Sequence, residues 1–192
     1  LGTLTVAVYM SYGFVPDPVF IWTTGNNGLL GSMLALLFIA MGLGGWWLDR
    51  EAWHKQGWIL RQSGRSPTDF VDQAGMGPTL LNMGLTGALG TAYVLAVGSD
   101  LNGPTLGAIF TIVGFSAFGK HPRNIVPIML GVFIASMLKD WSADDPSAVL
   151  AALFGTTLAP IAGRFGWRWG IVAGFVHSSV VQTVGALHGG LV

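Results

Sequence analysis

Charged residues divide the chain into long apolar runs: 1–16, 18–48, 73–99, 101–119, 124–138, 146–163 and 169–192. A charge at the bilayer centre costs about 3 kcal/mol on insertion scales, and about 20 apolar residues are needed to cross 30 Å of hydrocarbon. Residues 28–48, 73–99, 101–119 and 169–192 have that length, whereas the first, fifth and sixth runs, of 16, 15 and 18 residues, are short. The pattern predicts an all-α fold: a polytopic transmembrane helical bundle of about seven membrane segments. The short segments are expected to tilt, to borrow flanking residues or to re-enter. Residues 1–192 read as one membrane-embedded domain, and the only sizeable polar insert is 49–72. The insert spaces Trp53 and Trp58 among Lys and Arg, which fits an interfacial amphipathic helix or a plain cytoplasmic loop. Ser66-Pro67-Thr68-Asp69 predicts a helix start near Pro67.

Loop charge gives an independent test of this organisation, because cytoplasmic loops carry the Lys and Arg excess. Eight of the nine basic residues (Arg50, Lys55, Arg61, Arg65, Lys120, Arg123, Arg164 and Arg168) fall in alternate connections, and Lys139 alone falls on the other side. The alternation predicts a cytoplasmic N-terminus and Val192 outside, as in a multi-pass membrane protein. Tryptophans 46, 47, 53, 58, 141, 167 and 169 lie near the expected span ends, as in an interfacial belt.

Composition supports the membrane assignment. The chain is 52% apolar and 9% charged, and its mean hydropathy is +0.61, so it cannot build a charged shell. Its 29 glycines follow no G-x-y period and fit close helix packing. The net charge of zero gives no footprint for nucleic acid, and the absence of cysteine excludes disulfides and thiolate chemistry. The chain starts at Leu1 without a recognisable signal peptide, which suggests a processed protein or a piece of a longer one.

Two stretches, Asn26-Asn27-Gly28-Leu29-Leu30-Gly31 and Asn82-Met83-Gly84-Leu85-Thr86-Gly87, read N-x-G-L-x-G and lie 56 residues apart. Their glycines share a helix face and suit close packing, whereas asparagine near the bilayer needs partners or water. Matching contexts suggest equivalent helix starts along a polar path or a shared interface. A second constellation runs from Asn102-Gly103-Pro104-Thr105 through Gly114, Gly119-Lys120-His121-Pro122-Arg123 and Asn124 to Pro127. Its helix breakers fit either a hairpin of short helices with a cationic tip or an ordinary positive-inside turn. His177 and His188, eleven residues apart, share a face but lie about 16 Å apart along the axis, too far to hold one ion. Hydrogen-bonded neutral histidines or separate ligands remain. No metal site, cofactor motif or catalytic motif stands out, so neither a bound cofactor nor an enzyme is expected.

The stretches Ser63-Gly64-Arg65, Thr68-Asp69-Phe70, Gly75-Met76-Gly77-Pro78-Thr79 and Asn82 resemble a family of uncharacterised bacterial polytopic membrane proteins, a domain of unknown function. The likeness continues through Phe118-Gly119-Lys120, Asn124-Ile125, Leu153-Phe154-Gly155-Thr156 and Leu158-Ala159-Pro160 to Gly190. The resemblance implies a multi-pass membrane protein, roughly twice this length, and no assigned substrate.

The leading functional expectation is a transporter or channel for a small solute, with Asn26, Asn27, Thr79 and Asn82 along its path and Asn102, Thr105 and His121 as second choices. The competing expectation is a non-catalytic structural subunit. Expected partners are membrane lipid and either further copies of the chain or other membrane subunits. On this reading Asn82→Leu lowers flux and spares folding.

Overall fold

The computed structural model describes residues 21–66 and 68–187. The expected first segment (1–16), Pro67 and His188 lie outside the described residues. The helices are α1 (Asn27–Leu48), α2 (Ala52–Ile59), α3 (Phe70–Ala74), α4 (Met76–Ala96), α5 (Gly103–Phe115), α6 (Pro122–Leu138), α7 (Pro146–Gly155), α8 (Ala159–Phe165) and α9 (Trp167–Leu187). A 3₁₀ turn, Thr156–Leu158, joins α7 to α8. The described residues contain no named strand, only one isolated bridge between Thr23 and Asn102.

Local chemistry sets most helix starts. Asn26 Oδ1 accepts from the Leu29 N–H at 2.9 Å, and Asp145 caps α7 through the Ser147 N–H at 2.8 Å, with Pro146 at its first turn. The Asp145 carboxyl is held below the usual carboxylate range, first by the Ser147 hydroxyl. At α5, Asn102 and Thr105 form a reciprocal box, with Asn102 Oδ1 accepting from Thr105 N at 3.0 Å and Thr105 Oγ1 from Asn102 N at 2.8 Å. The insert differs from expectation at its second helix: α3 begins at Phe70, and its cap is Asp69, whose Oδ1 accepts from the Val71 and Asp72 N–H groups. One carboxylate satisfying two orphan donors is the stronger start signal. α2 buries Ala52, Gln56 and Ile59 on one face and leaves Trp53 and Trp58 exposed.

The elements pass back and forth between two ends of a bundle. α1 and α4 are antiparallel and form the most extensive helix pair, with Gly31 beside Leu95, the Phe38 ring on Gly87, and Gly45 against Gly77. α5 starts beside Asn27 and Trp22 and ends level with Thr86. α6 and α9 run parallel in backbone contact at Gly131 and Gly174. The eight clustered basic residues accordingly lie toward one end and Asp100, Asp140, Asp144 and Asp145 toward the other.

Among the described residues, three helical stretches are long and apolar enough to cross a membrane: α1, α4 and Pro146–Phe165. Outward faces are strongly apolar, with Leu36 68% and Met137 70% exposed, as a lipid-facing surface requires. α5 has 13 residues and α6 has 17, about 20 and 25 Å of helix against about 30 Å of hydrocarbon. Their connection, residues 116–121, therefore turns just inside the basic end and is covered by the 49–72 insert. The count of about seven segments is approximate for this reason: one hairpin is made of short helices, and one pass is broken at Thr156.

The break in the α7–α8 pass has a local cause. Pro160 has no N–H to return to the Thr156 carbonyl four residues earlier, and that carbonyl instead accepts from the Ala159 N–H in a tighter 3₁₀ turn.

Candidate functional site: a buried polar layer at the hairpin tip

Asn82 sits in the second turn of α4 with no solvent exposure. Its amide nitrogen donates to the carbonyls of Ser116 and Lys120, each at 2.8 Å, and its Oδ1 accepts from Gln56 Nε2 at 3.0 Å. One side chain thus ties α4 to the hairpin tip and to α2. Thr86, one turn further along α4, places its hydroxyl 2.7 Å from Ser116 Oγ, which itself donates to the Ile112 carbonyl at 2.8 Å.

Lys120 follows in the same loop and is 7% exposed. Its Nζ donates to Thr156 Oγ1 at 2.7 Å, at the α7–α8 break, and lies 5.2 Å from the Phe115 ring centroid. No carboxylate faces it: the only ion pair among the described residues is Lys55 with Asp49, at 2.7 Å. A buried ammonium with one side-chain partner is costly, and such groups are rarely kept for packing alone.

The other side of the tip is built by close backbone approach. Gly64 and Gly119, both at positive φ (72° and 113°), lie back to back, so a Cβ at Gly119 would lie 2.9 Å from the Gly64 Cα. Asn124 Nδ2 donates to the Gly119 carbonyl at 2.9 Å, and its Oδ1 accepts from the His121 N–H at 2.9 Å. His121 is 1% exposed. Its Nε2 lies 2.9 Å from the Gln62 carbonyl, which can only accept, so the proton belongs on Nε2 and Nδ1 is a buried lone pair without a partner. Gln56 Oε1 is likewise buried and unpaired. Lys120 and His121 therefore belong to the interior of the hairpin tip, while Arg123 is exposed.

The asparagines singled out by sequence do not lie along one path. Asn26, Asn27, Asn102 and Thr105 gather at the acidic end. There Asn27 Nδ2 donates to Asp100 Oδ1 at 2.8 Å, its Oδ1 accepts from Leu101 N at 3.0 Å, and Thr105 Oγ1 donates to the Asp100 carbonyl at 3.0 Å. Asn82 and His121 lie near the basic end, as does Thr79, whose hydroxyl donates to the Gly75 carbonyl. About 20 Å of α4 separates the groups.

Nor are the two N-x-G-L-x-G motifs equivalent. Asn26 is an exposed helix cap and Asn82 a buried residue inside a helix. A Cβ at Gly28 would meet only its own cap, whereas one at Gly84 would lie 2.6 Å from the Phe38 carbonyl. The motifs share an interface: Gly31, Gly84 and Gly87 all serve the α1–α4 contact.

Sequence reasoning missed Gln56, Ser116 and Thr156. Only Thr156 had a signal, its place four residues before Pro160 inside an apolar run. His177 lies against Gly155 of α7. Among the described residues, no three of His, Cys, Asp or Glu come together to hold a metal.

The fold and its apolar outer surface define a helical integral membrane protein with a hairpin of short helices, one broken pass and a buried polar layer. Residues 48–192 match the family described as "Protein of unknown function (DUF1576)", and the chain belongs to that family. No curated protein and no solved structure matches the chain.

Proposed function

We propose that the chain is the membrane-embedded unit of a non-catalytic transporter or channel for a small solute rich in hydrogen-bond acceptors. The solute would meet the protein at the layer around Lys120. The observation that carries this reading is the Lys120 ammonium, buried between the α5–α6 turn and the α7–α8 break and held by the Thr156 hydroxyl with no carboxylate in reach. Interrupted helices meeting at a polar layer are how many transporters build a site, and irregular backbone at membrane depth is tolerated where it lines protein or water. The setting proposed is a bacterial inner membrane, with the basic end toward the cytoplasm.

A specific observation favours a second reading, a structural subunit packing against lipid, further copies of the chain or other membrane subunits. Both N–H groups of Asn82 are already used inside the chain, which makes it a tie rather than a ligand.

Flux separates the two. In proteoliposomes of the full-length protein, a panel of small neutral and monoanionic solutes is expected to include at least one that enters faster than into empty vesicles. Lys120→Met is expected to slow that solute more than tenfold, and loss of a buried charge for a similar apolar volume should not impair folding. Parent protein no faster than empty vesicles across the panel would establish the structural reading.

A further inference from the structure

We propose that a cavity at the basic end, between residues 60–63, the start of α6 and the α8–α9 turn, binds a phosphate group. The cavity holds about 150 Å³, and Arg61, Gln62, His121, Arg123, Asn124 and Trp167 contribute to its lining. This proposal does not depend on solute transport.

Two independent features point to an oxyanion, and a third to bridging water beside it. First, Arg61 and Arg123 reach the cavity from different elements, both exposed, and neither side chain has a hydrogen-bond or carboxylate partner among the described residues. No acidic residue lines the cavity, and Arg164 and Arg168 flank the turn that closes it, the latter 5.5 Å from the Trp167 ring centroid. Unpaired guanidinium forks suit bidentate contact with phosphate. Second, the 17-residue α6 begins at the cavity, so the positive end of its dipole faces the same volume. Third, His121 belongs to the lining, is 1% exposed, and carries a ring nitrogen with no partner. A water that donates one hydrogen to that nitrogen and the other to a bound phosphate oxygen would give it one.

The volume equals that of about five liquid waters, which accommodates one phosphate with bridging water and not a nucleotide. The cavity also lies at the end rich in exposed tryptophan and arginine, where anionic headgroups bind between helices. A phospholipid headgroup and free phosphate present the same chemistry.

The test uses the full chain in neutral maltoside detergent with two probes: inorganic phosphate, with ionic strength matched by chloride, and phosphatidylglycerol, with phosphatidylcholine as comparator. Native mass spectrometry counts retained lipid, and ligand-dependent thermal shift gives affinity. The expected result is binding of at least one probe, weakened at least tenfold in Arg61→Gln/Arg123→Gln and in each single variant severalfold. Arg65→Gln, in the same loop but outside the cavity, should change affinity less than twofold. Binding of phosphate identifies a soluble ligand, and binding of phosphatidylglycerol without phosphate identifies the lipid. Binding of neither probe, unchanged affinity in the arginine variants, or equal weakening by Arg65→Gln would overturn the proposal.

Discussion

Gly174→Val is expected to leave almost no folded protein. α6 and α9 touch through their backbones: a Cβ at Gly174 would fall on the Ile128 carbonyl, and one at Gly131 on the Ile171 carbonyl. Neither helix can slide to relieve this, because Gly170 is already pressed between Pro127 and Ala162, each 2.7 Å from where its Cβ would lie. Overpacking a core typically costs about 1–3 kcal/mol when side chains can yield. Backbone cannot yield in that way, so the cost should reach several kcal/mol against a total stability of about 5–15 kcal/mol. Size-exclusion profiles of detergent extracts check this, with Gly44→Ala as control. A Cβ at Gly44 meets nothing within 4 Å, and the change should leave stability the same or raise it by up to about 1 kcal/mol. Wild-type yield and melting temperature for Gly174→Val would show that α6 and α9 do not meet this way.

The second large effect is expected at Asn82. Replacing it by Leu strands the Ser116 and Lys120 carbonyls and the Gln56 amide, all buried. At about 1–3 kcal/mol for each unsatisfied group, the loss is roughly 3 kcal/mol or more. Asn82→Asp should fare no better, since a carboxylate sets acceptors against the two carbonyls that the amide nitrogen now satisfies. A fall in melting temperature of several degrees in both variants is the expected reading, and a change under about 2 °C in either would contradict the bonding described. The three bonds also correct the expectation that Asn82→Leu spares folding: the side chain is a structural tie first.

Much of the architecture is legible because membrane helices announce themselves by apolar runs bounded by charge. Asn102 with Pro104, and Asp145 with Pro146, mark helix starts through backbone chemistry that needs no tertiary partner. The alternation of Arg and Lys between connections follows the two ends of the bundle for the same reason. Legibility fails where a residue's surroundings come from elsewhere in the chain. Lys120 looks like a span-ending charge, and only the shortness of α5 and the fold-back of residues 60–64 bury it. Gln56 is one polar residue among many in the insert until α2 docks it on Asn82. The repeat misled in the opposite direction. A shared N-x-G-L-x-G pattern suggested equivalent sites, yet one asparagine caps a helix and the other bridges three elements, because the surrounding helices, and not the pattern, supply the partners.

A solute path requires that water reach the layer between the hairpin tip and the α7–α8 break, and thiol accessibility measures that directly. The chain has no cysteine, so Ser116→Cys, Thr156→Cys and Leu36→Cys each introduce a single thiol. In native membranes Ser116→Cys and Thr156→Cys should react with a small water-soluble thiol reagent at least tenfold faster than Leu36→Cys on the lipid-facing surface of α1. If both were as inert as Leu36→Cys in folded protein, the layer would be closed packing and the transport reading would fail.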